Sequence, residues 1–263
     1  MCGRLHLPVA SRDHSKERLV LHPRWSIPPD SLRIACSHRS VTEVTAPPLH
    51  LIYEDPDWDD RVAVAAALRR LGNALVRHRL PAAALAEIAA FATAQADAAN
   101  ESPAIPRPHD YLARRYTDDP PPDGSRVVAF ADRPFSGPAN ALGFEVDLRR
   151  SGDSVRSEVI FGAAFESAPG RAHGGAIAAA VDDAMGYLMV VLGVAAYTAE
   201  LTVRYERGVP IDTPIVFTAE AGVADGRKLP VSLRAATLEG EVLITATATF
   251  VVIPAERLTD PAG

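Results

Sequence analysis

The chain has 263 residues and a formal net charge of −6, from 27 Lys and Arg against 33 Asp and Glu. That length suits one large domain, or one domain with an appendage. The acidic balance argues against general nucleic-acid binding, which needs a basic surface. Cys2 and Cys36 have no partner at metal-ligand spacing and do not make a disulfide framework. No run of 18 apolar residues is present, so no membrane span is expected. The N-terminus lacks the apolar stretch of a secretory leader, which makes a cytoplasmic location the expectation. No metal or cofactor motif is present.

Residues 1–57 hold five of the eight histidines, many prolines and no sustained period. They read as irregular or disordered. Residues 58–99 are Ala-rich and helical. Asp59 and Asp60 are placed to cap a first helix, whose stripe Val64, Leu68, Leu71, Leu75 follows i, i+4, i+7, i+11. Pro81 suits the first turn of a second helix carrying Leu85, Ile88 and Ala92. The expectation is a helical hairpin. Residues 100–133 form a linker, in which Pro103, Pro106, Pro108, Pro120, Pro121 and Pro122 disfavour regular structure.

A strand pattern then begins. Phe144, Val146 and Leu148 alternate with polar positions, and a second strand runs near Val155–Phe161. One long helix follows, roughly Gly174–Leu192. Four strand-like runs come next, at Tyr197–Glu206, Ile215–Val223, Lys228–Thr237 and Val242–Ile253, separated by turn signals such as Asp225-Gly226 and Glu239-Gly240. Two strands, one helix and four strands make an antiparallel sheet with a single helix to cover, an α+β design. The helix is apolar almost all round, so it should be buried. The domain expected over 134–254 is therefore a sheet wrapped around a central helix, with a tail at 255–263.

Several residues stand out for chemistry. His173-Gly174-Gly175 opens the helix. A helix N-terminus offers unpaired N–H groups and a positive dipole end, and glycines let a ligand carbonyl come close. Asp182 and Asp183 interrupt the apolar helix, and an unpaired buried carboxylate is costly, so one of them should face a cleft. Strand parity puts Thr198 opposite the apolar face Tyr197, Ala199, Leu201, Val203, Tyr205, unless the strand start is irregular or meets a partner subunit. There is no phosphate-binding loop, dinucleotide fingerprint or Gly-x-Ser-x-Gly elbow.

The run Ala172-His173-Gly174-Gly175-Ala176, then Asp182, Gly186, Tyr197-Thr198-Ala199-Glu200 and Gly226-Arg227-Lys228, resembles the phenylacetate-pathway-type and mitochondrial-type acyl-CoA thioesterases of the hotdog superfamily. Pro134-Phe135-Ser136-Gly137-Pro138-Ala139-Asn140 is similar to the lead-in segment of actinobacterial members. The resemblance covers about half the chain. It implies the hotdog fold and hydrolysis of an acyl-CoA substrate by a homodimer or dimer of dimers. It also implies oxyanion donors at Gly174 and Gly175, Asp182 as general base or nucleophile, and Thr198 orienting the water or the acid. His173 either fixes the turn or takes part in the chemistry. Asn140 either polarises the thioester carbonyl or shapes a turn. Arg227 and Lys228 either meet the CoA phosphates or are solvated. Met185 and Tyr187 are candidates to line the acyl pocket. A non-catalytic acyl-CoA-binding module is the alternative. No histidine follows His173, which counts against dehydratase chemistry.

One geometric point bears on assembly. Gly174 and Asp182 are eight residues apart, about 12 Å along a helix axis at 1.5 Å per residue. One thioester carbonyl cannot touch both within a single helix, so a site shared across a two-fold interface is expected.

Overall fold

The computed structural model describes residues 49–51, 55–105, 110 and 113–259. The expectation for residues 1–48 and 52–54 lies outside them.

The central helix, α4 (Gly174–Val191), organises the rest. Ten of its 18 residues are buried, among them Val181, Met185, Leu188 and Met189 at 0 % exposure. By length and composition α4 could cross a membrane, but its apolar surface is covered by strands of this chain. Those strands are β4 (Ser154–Ile160), β5 (Ala196–Tyr205), β6 (Ile215–Ala221) and β7 (Lys228–Ala236). With β1 (Leu49–Leu51), β2 (Arg126–Val128), β3 (Glu145–Ser151) and β8 (Val242–Val252) they form one eight-stranded sheet, in the order β1-β2-β3-β4-β6-β7-β8-β5. All pairings are antiparallel except β1 with β2. This is the hotdog arrangement expected from the alternation of strands and one apolar helix.

Strand periodicity explains the core. On β4, Val155, Ser157 and Val159 point inward; on β7, Leu229, Val231, Leu233 and Ala235 do. Alternate residues meet α4, as the two-residue period of a strand requires. Phe217 and Phe250 fill the space beneath the helix at 0 % and 2 % exposure.

Two helices precede the sheet, α1 (Trp58–Arg77) and α2 (Ala82–Asn100). Asp59 and Asp60 do not cap α1 but lie in its first turn, where carboxylates complement the helix dipole. Pro81 stands at the N-cap of α2 rather than inside it. Polar contacts tie α1 to the domain. Asn73 Oδ1 accepts from Ala164 N at 2.9 Å, and Arg69 Nη1 donates to Asn140 O at 2.7 Å. Arg77 pairs with Asp212. No α2 residue is buried.

The segment at 100–133 departs from the linker expectation. It carries α3 (Arg114–Thr117) and the edge strand β2, and Val127, Ala129 and Phe130 enter the hydrophobic core. Its prolines end before Asp123, which leaves Ser125–Ala131 free to pair and bury. Leu49–Leu51 likewise departs from an irregular reading by pairing with β2. Helices, linker and sheet fall in one compact unit, Ala46–Gly263.

Candidate active site

The start of α4 is knitted by its own residues. His173 is the N-cap in extended backbone (φ −66°, ψ 134°), and its Nδ1 accepts from Gly175 N at 2.9 Å. The ring is therefore an acceptor at Nδ1 and fixes the turn. Tyr205 on β5 donates its hydroxyl to Gly174 O at 2.8 Å, tying the helix start to the sheet edge. Because His173 takes the Gly175 N–H, the first-turn donors left for a ligand are those of Gly174 and Ala176, which no helix carbonyl can reach.

Eight residues along, the two carboxylates separate into different environments. Asp183 receives Arg133 Nε at 2.5 Å, with side chains only 10 % and 12 % exposed. Arg133 also lies over the Tyr187 ring, 4.4 Å from its centroid. Burial works against the Arg133 charge, but Asp183 and Tyr187 more than offset it, and its pKa lies above the ordinary value. Asp182 is exposed, and its Oδ1 accepts from Thr198 Oγ1 at 2.9 Å.

Thr198 reaches Asp182 because β5 is irregular at its start. The β5–β8 register runs Thr198↔Phe250 and then Glu200↔Thr249, so Ala199 is an extra residue. Such a bulge resets the in-out alternation, which resolves the parity conflict seen in the sequence.

Asp182, Thr198, Arg133 and Arg115 line one cavity of about 180 Å³, walled also by Ala196 and Phe250. Met185 and Tyr187 do not line it. They are core residues at 0 % and 1 % exposure, and the Tyr187 hydroxyl accepts from Ala129 N at 3.3 Å.

The three other candidates lie elsewhere. Asn140 shapes a turn: its Oδ1 accepts from Leu142 N at 2.8 Å, and its Nδ2 faces Arg133 O and Asp132 O at 3.3 and 3.4 Å. Arg227 and Lys228 are exposed in the turn closed by Asp225 and Lys228, with Gly226 at φ +57° as a tight turn requires. Register places that turn at the Thr198 end of the sheet, because Leu229 pairs with Phe250 and Phe250 with Thr198. Two inter-strand steps make the offset about 10 Å. Among the described residues no cluster of three His, Cys, Asp or Glu could hold a metal ion.

Sequence reasoning missed Arg115, Arg133 and Tyr205. The Asp182-Asp183 pair was itself a signal for Arg133, since a buried carboxylate calls for a cation.

One antiparallel-rich sheet wrapped on a single buried helix makes this a hotdog fold. Residues 169–244 match the family model described as thioesterase superfamily. Over 121 residues the chain is 31 % identical to acyl-coenzyme A thioesterase THEM4 of Bos taurus, covering 45 % of this chain and 50 % of that one. It is 33 % identical over 119 residues to THEM4 of Mus musculus, covering 44 % and 51 %. The chain thus spans about half the length of the curated relatives it matches. A crystal structure of a thioesterase superfamily protein superposes with a TM-score of 0.61 at 28 % identity, covering 79 % of this chain and 94 % of that one.

Proposed function

We propose that this protein hydrolyses acyl-CoA thioesters, with Asp182 as the catalytic carboxylate. One observation carries the choice of acid. Asp183 is neutralised by Arg133, whereas Asp182 is exposed and aimed by Thr198 into the cavity. Acting as general base, Asp182 takes a proton from water as the water oxygen attacks the thioester carbonyl. The C–S bond breaks and CoA leaves as its thiol. Acting as nucleophile, Asp182 forms an anhydride that water then opens. Either route builds negative charge on the carbonyl oxygen, and the N–H groups of Gly174 and Ala176 are suited to stabilise it.

The separation along α4 favours a homodimer in which one chain supplies these donors and the other supplies Asp182 and Thr198. An open sheet edge at β5 supports that reading: among the described residues β5 is the last strand of the sheet, and Tyr197 and Tyr205 on it are 56 % and 50 % exposed. Arg227 and Lys228 supply cations for the CoA phosphates, on a turn about two strands from Thr198. A panel of acyl-CoAs assayed for released thiol tests the proposal. Release from none of them, with binding retained, would make this an acyl-CoA-binding module instead.

A further inference from the structure

A glycine interrupts α4 one turn beyond Asp182. Asp182 and Gly186 stand at i and i+4, on one face of the helix, and both border the cavity of about 180 Å³. Glycine weakens a helix interior, so its place here calls for a reason. Among the described residues outside its own helix, a Cβ at 186 would meet one atom within 4 Å, Arg133 Nη2 at 3.1 Å. Apart from that cation, the missing side chain leaves space beside Asp182. A second feature comes from beyond the last strand. The chain leaves β8 with Ile253 N donating to Ala195 O at 2.9 Å, then turns through a short 3-10 helix, Ala255–Thr259. That turn brings Leu258 to the cavity that Phe250 of β8 also walls. Leu258 is half-buried, yet among the described residues it is not one of the side chains packed on the hydrophobic core. Its apolar surface is turned to the cavity instead. The segment that reads as a tail in the sequence thus completes a wall of the site.

We infer that the acyl chain of the substrate runs from Asp182 past Gly186 and ends against Leu258, which makes Leu258 the gauge of chain length. The inference rests on the thioesterase reading and assigns the specificity-determining residue of that same site. The thioester carbonyl has to lie at Asp182, where the water is activated. Beyond the bonded pair Asp182 and Thr198, apolar surface comes from Ala196, Phe250 and Leu258, with the bare backbone of Gly186. A few polar groups among apolar walls suit a chain with one polar end. Of the cations that border the cavity, Arg133 is held by Asp183, and the Nε and Nη2 donors of Arg115 are closed to solvent. Gly186 lies about 6 Å beyond Asp182 along the helix axis, at 1.5 Å per residue. An octanoyl chain reaches past that point and a butyryl chain does not.

The test measures kcat/KM on octanoyl-CoA and butyryl-CoA and follows their ratio. Leu258→Ala opens the chain end, and the octanoyl-to-butyryl ratio should rise roughly tenfold, the order for one or two methylenes gained in an apolar pocket. Leu258→Trp fills the same space, and the ratio should fall by a similar factor. Gly186→Ala narrows the path and should lower the ratio as well. A structural role for Leu258 would change both rates together and leave the ratio in place, which overturns the inference. A glycine present only to admit Arg133 would do the same in Gly186→Ala, which overturns the path along α4. If one Leu258 variant does not fold, the other decides by the sign of its shift. If wild-type protein cleaves neither thioester, the thioesterase reading fails on its own, and calorimetric titration with the same two thioesters takes over. An octanoyl-to-butyryl affinity ratio that rises in Leu258→Ala and falls in Leu258→Trp sustains the chain-end site, while one that is equal in all three proteins overturns it.

Discussion

Thr198 Oγ1 donates to Asp182 Oδ1 at 2.9 Å, joining the start of strand β5 to the middle of α4. The bond exists because one extra residue, Ala199, is inserted against β8. If Asp182 is the catalytic carboxylate, Asp182→Asn should lower turnover by on the order of 10²–10⁴-fold while circular dichroism stays native. Thr198→Val, which keeps the β-branched shape and removes the donor, should cost less, about tenfold, equivalent to one hydrogen bond to a charged group. Thr198→Ser should recover most of that loss. Near-normal turnover in Asp182→Asn would remove Asp182 from the mechanism.

Asp183 should respond in the opposite way. Its partner Arg133 is 12 % exposed, and breaking a buried pair leaves an uncompensated charge. Asp183→Asn should therefore destabilise the fold by on the order of 3–5 kcal/mol, read as a lowered denaturation midpoint. Specific activity of the protein that remains folded should fall far less than in Asp182→Asn. The two adjacent acids are thus separable by measuring stability and rate side by side. A stable Asp183→Asn variant with dead chemistry would reverse the assignment.

The contrast between these neighbours shows what could be read from the chain alone. The all-round apolar character of α4 and the two-residue alternation of β4, β7 and β8 announced a sheet wrapped on a helix, because burial of a helix on every side leaves few other designs. The pairing of Asp183 was not legible, since Arg133 stands 50 residues upstream in a segment read as linker. Nor was the Thr198 orientation. The bulge at Ala199 carries no glycine or proline to mark it, and simple alternation puts Thr198 on the wrong face. Three-residue strands such as β1 and β2 are too short for a period, and only their pairing with β3 and each other identifies them. The sequence left Asn140 open between polarising a thioester carbonyl and shaping a turn, and the hydrogen bonds that fix it belong to a turn.

The docking of α1 gives a third test. Asn73 holds the backbone of Ala164 at 2.9 Å, and a Cβ on Gly162 would lie 2.4 Å from the Asn73 amide oxygen. Asn73→Ala should cost about 1 kcal/mol of stability through the lost bond. It should also raise hydrogen exchange within α1, whose only buried residue is Ala65. Unchanged protection in α1 would mean that Arg69 and Arg77 suffice to hold it.

The shared site is tested by complementation. Asp182→Asn removes the carboxylate, and Gly174→Pro removes a first-turn N–H. Proline is tolerated at the first helical position, and the residue before it must be extended, as His173 already is at ψ 134°. The Tyr205 bond to Gly174 O does not involve the lost donor. Each variant alone should be nearly inactive if the Gly174 N–H carries much of the oxyanion stabilisation. In a mixed dimer, one of the two sites combines an intact helix start from one chain with an intact Asp182 from the other. Random assortment makes about half of the dimers mixed, each with one good site in two, so roughly a quarter of wild-type activity should return on co-expression. Absence of recovery, with chain exchange verified by mass spectrometry, would place the donors and the carboxylate of each site in one chain. The 12 Å separation along α4 would then have to be bridged by a donor other than the helix start.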